Sequence, residues 1–224
     1  MLTKNTFQFL RDLKTHNDRK WFEAHRESFE THVKRPMLEL LEELAPGFGS
    51  VSRHIVVDPR PVGGSLMRIH RDIRFSKDKT PYKTHMAAML AHSSGKDSSA
   101  PAFYLHVEPG ATLFGGGVWH PDSTALKKVR DRIARDPAGW RKATAPVTEE
   151  KPWELIGSSL KRPPAGYDPA HPFIEDLKRK DFGAAVRFTD PQVLTPKFTD
   201  SIVAAAKRMM PFMMFLAKAI ESPF

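Results

Sequence analysis

Apolar residues return at three- and four-residue steps near both ends of the chain and alternate or run together in its middle, a pattern that predicts helices, then strands, then helices. Phe7, Leu10 and Leu13, followed by Trp21, His25 and Phe29, read as two short amphipathic helices joined by His16-Asn17-Asp18, with Asn17 or Asp18 as the N-cap of the second. Pro36 suits the first turn of a third helix carrying Met37, Leu40, Leu41 and Leu44, and Ala45-Pro46-Gly47 is expected to stop it. From His54 the pattern changes, with strands expected at 55–57, 66–75, 85–92, 102–108 and 112–114. The polar run 93–99 reads as a hairpin loop, and the glycines 115–117 as a tight turn closing the β region.

After the glycines, Asp122 is expected to cap a helix to about Arg135, with Leu126, Val129 and Ile133 on one stripe, and Asp136-Pro137 to start another around Trp140. Residues 145–172, rich in Pro and Gly, read as surface loops with one turn near Trp153. A helix from Pro172, an edge-like strand over 184–188 and a final helix from Pro196, kinked at Pro211, complete the chain. The expected fold is α+β, a mainly antiparallel central sheet of about five strands flanked by N-terminal and C-terminal helices. One domain is expected over 1–224, divided into a helical unit (1–50), a β meander (51–117) and a helical and loop part with one added strand (118–224).

Composition narrows the chemistry. With 35 Lys+Arg against 26 Asp+Glu, the net charge of +9 favours anionic partners. Eight cations against three acids lie within residues 60–97, so part of that excess is local. The absence of cysteine excludes disulfides, thiolate nucleophiles and cysteine-ligated metal clusters. The opening residues hold no apolar signal stretch, and the longest apolar run, 209–217, is too short to span a bilayer. A cytoplasmic protein without membrane insertion is expected; oligomeric state is not legible.

The chemistry-bearing run is Leu66-Met-Arg-Ile-His-Arg-Asp-Ile-Arg-Phe-Ser-Lys-Asp-Lys-Thr-Pro-Tyr82, followed by Lys83. If its first ten residues form a strand, Arg68, His70, Asp72 and Arg74 share one face, and Arg71 falls on the apolar one. Guanidinium groups clamp carboxylate or phosphate bidentately, so Arg68, Arg71, Arg74 and Lys79 are candidates to hold an anion. Asp72 would orient an arginine, and Tyr82 and Lys83 would close the site. Three readings stay open: a pocket for a phosphate- or carboxylate-bearing small molecule, a nucleic-acid track, and an internal ion-pair network that only specifies the fold.

The run Arg68-x-x-Arg71-Asp72-x-Arg74-Phe75-Ser76-x-Asp78-Lys79-x-Pro81-Tyr82-Lys83 resembles the signature of the domain of unknown function 2461 family of bacterial and fungal proteins. Asn17-Asp18-Arg19-Lys20-Trp21-Phe22, Gly115-Gly116-Gly117-Val118-Trp119-His120-Pro121, Leu160-Lys161-Arg162-Pro163-Pro164-Ala165-Gly166-Tyr167 and His171-Pro172 extend the resemblance over nearly the whole chain. It implies one domain centred on the Arg-rich motif, and it supplies no activity, catalytic residue or cofactor.

Candidates for acid/base work are His70, His106 and Glu108, the last two sharing a strand face with Tyr104. His106-x-Glu108 is also a conceivable metal pair, with His70, Asp72 or His120 to complete it, but no cluster has a recognised metal spacing and no metal ligand is assigned. The glycine triplet lacks the Gly-Lys-Ser/Thr of a nucleotide loop.

Overall fold

The computed structural model describes residues 1–95 and 99–224. Helices α1 (Lys4–Thr15), α2 (Arg19–Ala24), α3 (Arg26–Phe29) and α4 (Arg35–Gly49) open the chain, with a π-helical turn, Glu30–Lys34, joining the last two. Strands β1 (Ile55–Val56), β2 (Met86–His92), β3 (Ala102–Val107) and β4 (Leu113–Val118) follow, then α5 (Ser123–Arg135) and α6 (Pro137–Thr144). The remainder is β5 (Trp153–Ile156), α7 (Ile174–Leu177), β6 (Phe182–Arg187), α8 (Asp190–Val193) and α9 (Phe198–Ala219). All six strands join one antiparallel sheet in the order β1-β2-β3-β4-β6-β5, so the fold is α+β.

The caps fall where the short polar side chains stand. Asp18 accepts the Trp21 N–H at 2.9 Å, Asp122 accepts those of Thr124 and Ala125, and Asp136 accepts that of Gly139. Because strand side chains alternate, Phe103, Leu105 and Val107 of β3 point to one face, with Leu90 of β2 and Phe114 of β4 beside them. Helices cover that face: Phe48 of α4 meets Phe103 and Phe114 edge-on, and Trp140 of α6 meets Phe182. The opposite face carries Ala87, Met89, Tyr104, His106, Leu113, Gly115 and Ala185. No helix among the described residues is long and apolar enough to cross a membrane.

Five expectations need correction. The 66–75 strand does not form; among the described residues its backbone pairs only through the isolated bridges Leu66–Ala88 and His70–Tyr82. Its aspartates bond locally instead, Asp72 accepting the Arg74 N–H and Asp78 that of Thr80, and such turns compete with a ladder. The glycine triplet is not a turn but the middle of β4, paired on both sides. A Cβ at Gly117, where φ is +147°, would lie 2.0 Å from the Phe182 carbonyl oxygen, so only glycine lets β6 approach there. Residues 153–156, read as part of a loop, form the sheet's edge strand β5, and this moves β6 from the edge to the interior.

The remaining correction concerns α4, which runs through Pro46 to Gly49. Its last turn presses on α9 so closely that a Cβ on Gly47 would lie 2.6 Å from Val203, and this packing overrides the local stop signal. The final helix likewise continues through Pro211. The middle of the expected 93–99 loop, residues 96–98, lies outside the described residues.

Candidate functional site

The Arg-rich motif folds as an irregular hairpin that leads into β2. Ser65 and Met67 run beside β2, bonding Met89 and Ala87, before the chain leaves the sheet. It returns through Lys83, whose N–H donates to the Ile69 carbonyl at 2.8 Å, with a second rung from Arg71 N–H to the Pro81 carbonyl at 2.9 Å. The N-terminal helices pin this return strand. The Asn17 amide donates to the Tyr82 carbonyl at 2.9 Å and accepts the Tyr82 N–H at 3.1 Å, an imitation of a β pair made by one side chain. Phe22 then stacks on the Tyr82 ring at 4.1 Å. Two of the sequence runs that carry the family resemblance, 17–22 and 68–83, therefore meet at Tyr82.

This contact redefines Tyr82. Its ring is core, with the residue only 3% exposed, and its hydroxyl end lies among the charges of α2 rather than at the arginines of the hairpin. Burial pushes the phenol above its ordinary range. His70 packs on the same aromatic pair, 5.1 Å from Tyr82 and 6.3 Å from Phe22, and is not brought to His106.

At the tip of the hairpin, the charged side chains other than the exposed Lys77 are engaged within the hairpin. Arg71, expected on an apolar face, donates instead to Asp78 at 2.5 Å and to the Thr80 hydroxyl. Arg74 forms a forked pair with Asp72 at 3.0 and 2.7 Å, and Lys79 donates to the Ile73 carbonyl at 3.0 Å. The Thr80 N–H, then Arg71, hold the Asp78 carboxyl down to about 2, and Arg74 lowers that of Asp72. Phe75 stands outside this network at 94% exposure, with the Arg74 guanidinium 5.7 Å from its ring centre.

At the base the situation reverses. Neither Arg68 nor Lys83 has a hydrogen-bonding or ion-pairing side chain among the described residues, and they lie close enough that Arg68 reinforces the effect of burial in lowering the Lys83 ammonium. Two residues beyond Lys83, in the bend that leads into β2, is His85, close enough to feel the Lys83 charge. The β2–β3 register pairs Ala87 with His106 and places His85 across from Glu108. The His85 and His106 rings stand 4.1 Å apart, and His106 Nε2 lies 2.9 Å from Glu108 Oε2. Tyr104 Oη is 3.5 Å from His106 Nδ1, and the Thr84 hydroxyl donates to Glu108 Oε1 at 3.4 Å. One donor atom from each of His85, His106 and Glu108 fits within 4.8 Å of the others.

Burial, then the neighbouring His106, depress His85 to about 4, against the opposing pull of Glu108, so its imidazole is neutral at physiological pH. Burial raises the Tyr104 phenol. The patch thus combines a neutral imidazole, a histidine–carboxylate pair, a phenol and two cations without acidic partners. His85 escaped notice in the sequence because it was read only as the first residue of a strand. What finds it is the β2–β3 pairing register, which no single sequence supplies.

Elsewhere, His120 is held apart from this patch. Its backbone N–H and Nδ1 lie 3.0 and 3.1 Å from Asp181, which also accepts the Ser158 hydroxyl at 2.7 Å. Burial raises the Asp181 carboxyl, but these donors outweigh it and the group is lowered. The carboxylate sits between the serine and the histidine, so the histidine is not placed to activate the serine, and the trio ties the ends of β4, β5 and β6 together. A shallow depression of about 510 Å³ between α2 and the hairpin is lined by Asn17, Asp18, Arg19, Ile73, Lys79, Thr80 and Pro81. Most of its polar groups already serve as caps or hairpin bonds, so the patch at the hairpin base carries the stronger chemistry.

A comparison with curated proteins finds no match. The family model described as conserved hypothetical protein (DUF2461) matches residues 5–215, which takes in α1, the hairpin, the whole sheet and most of α9. By that match over almost its full length, the chain belongs to the DUF2461 family.

Proposed function

We propose that the patch at the base of the hairpin binds a phosphate- or carboxylate-bearing small molecule, with Arg68 and Lys83 supplying the charge that holds it. One observation carries the reading: Arg71, Arg74 and Lys79 are engaged inside the hairpin and Lys77 stands exposed at its tip, whereas Arg68 and Lys83 come together at its base with no hydrogen-bonded or ion-paired side chain among the described residues. Two cations brought together repel each other; Asp72 lies near enough to feel Arg68 but forms its ion pair with Arg74, and an anion bound at the base relieves the remaining cost. The neighbouring groups extend the reading from charge to chemistry. His106, hydrogen-bonded to Glu108, is the group placed to move a proton on a molecule bound there, and Tyr104 and the neutral His85 offer uncharged hydrogen bonds.

Calorimetric titration of the protein with inorganic phosphate, pyrophosphate and citrate tests this. Binding that falls about tenfold or more in Arg68→Ala and in Lys83→Ala, and stays within twofold in Arg74→Ala, is expected, because a charge-assisted hydrogen bond contributes about 1.5–3 kcal/mol. Equal affinity in all four proteins, or no heat with any anion, overturns the proposal.

A second reading rests on Phe75. An aromatic ring 94% exposed beside Arg74 and Lys77 is a stacking platform on a basic hairpin, as single-stranded nucleic acid requires. Under that reading a short single-stranded oligonucleotide binds with affinity that falls steeply with salt and is lost in Phe75→Ala. Oligonucleotide binding that is absent, or indifferent to Phe75, removes it.

A further inference from the structure

Beyond anion binding, we propose that His85, His106 and Glu108 form a site for a first-row divalent transition cation, such as zinc or cobalt, with coordination positions left open for water or an oxyanion; in the metal-bound protein His106 and Glu108 are ligands, and the proton-moving role given above belongs to the metal-free patch. Two imidazoles and one carboxylate are a donor set that such ions favour, and three protein ligands are the number that leaves a position free for chemistry. Magnesium and calcium, which take oxygen donors, are excluded by the same argument.

The geometry meets the requirement from two directions. Around a tetrahedral ion with bonds of about 2.1 Å, ligand atoms stand about 3.4 Å apart. His106 Nε2 and Glu108 Oε2 are at 2.9 Å, and the three donors lie within 4.8 Å of one another, so small side-chain rotations close the set. One ligand, His106, sits in a rigid ladder, paired with Ala87 among five consecutive β2–β3 positions, and His85 and Glu108 immediately flank the Met86–Val107 end of that ladder.

The surroundings are those of ligands rather than of a self-sufficient ion pair. His106 presents Nε2 to Glu108 while Nδ1 faces the Tyr104 hydroxyl at 3.5 Å, and Glu108 is contacted on its other oxygen by Thr84. Outer contacts of this kind orient metal-binding imidazoles and carboxylates. His85 makes no hydrogen bond among the described residues, although it is partly buried, which leaves its ring nitrogens available. No Lys or Arg forms a salt bridge with Glu108 among the described residues. Arg68 and Lys83 set the strength of the site: like charge nearby weakens a bare cation, so affinity below that of closed structural zinc sites is expected, and an oxyanion that bridges ion and cations strengthens it.

The test uses the full chain without an affinity tag, stripped with a chelator and titrated with cobalt(II) while its visible absorption is recorded, followed by displacement with zinc. One equivalent of tightly bound cobalt with an intense visible band is expected, with affinity reduced at least tenfold in His85→Asn, His106→Ala and Glu108→Gln and unchanged in His25→Ala. Magnesium should not displace it. His85→Asn decides the matter even if the other variants fold poorly, because the fold takes no hydrogen bond from that ring. No band in the native protein, or a band that His85→Asn leaves intact, overturns the site. Titrating cobalt into Arg68→Ala separates this proposal from the anion reading: a metal site that survives there while phosphate binding is lost shows that the two stand apart.

Discussion

The tip and the base of the hairpin carry the same residue types and put them to different use. At the tip, Arg71 has Asp78 and Thr80, Arg74 has Asp72, and Lys79 has a backbone carbonyl. At the base, Arg68 and Lys83 approach each other with no ion-paired acid among the described residues, next to two imidazoles and a carboxylate. Density of arginine in a sequence therefore does not locate a binding site; what separates the two regions is where the aspartates fall. Asp72 and Asp78 both stand inside the turn, within reach of Arg74 and Arg71, and the base has none.

That division depends on the return strand being held in place, so the largest effects are expected at Tyr82. Removing its ring in Tyr82→Ala deletes the stack on Phe22 and opens a cavity against the N-terminal helices, at a cost of about 3–4 kcal/mol by urea denaturation. Asn17→Ala keeps the ring but strips both hydrogen bonds from the Tyr82 backbone, at a cost of about 1–2 kcal/mol. Both variants should also weaken anion binding at the base, since Lys83 is the next residue. A Tyr82→Ala protein of native stability would mean that the hairpin is not anchored there, and the contrast between tip and base would lose its structural footing.

How far this was legible from sequence follows the same division between local and distant information. Helix starts were readable because Asp18, Asp122 and Asp136 act within three residues of themselves. The sheet face of Tyr104, His106 and Glu108 was readable from alternation. The irregular hairpin was misread as a strand because its apolar alternation at Met67, Ile69 and Ile73 outweighed the turn chemistry of Asp72 and Asp78. The strand over 153–156 and the interior position of β6 depend on a pairing between residues about thirty apart, which local pattern does not encode. His85 joined the candidate site for the same reason: its neighbours are His106 and Glu108, across a loop and in another strand.

The smallest effects separate the two regions most directly. Arg71 is half-buried, so Arg71→Ala should cost about 1 kcal/mol, while phosphate affinity at the base stays within twofold. The same variant has a cleaner readout in Asp78. That carboxyl titrates near 2 because the Thr80 N–H and Arg71 favour its charged form, so its contribution to stability is complete above the ordinary carboxylate range and is lost as pH falls towards 2. Deleting Arg71 removes one of three donors, and the Asp78 midpoint followed by NMR should rise part of the way towards its ordinary value, since the Thr80 amide and hydroxyl remain. A midpoint that does not move would mean that Arg71 contributes nothing to holding Asp78. Arg71 would then be a further cation without an effective acid, and the anion site would have to be widened from the base of the hairpin to include its tip.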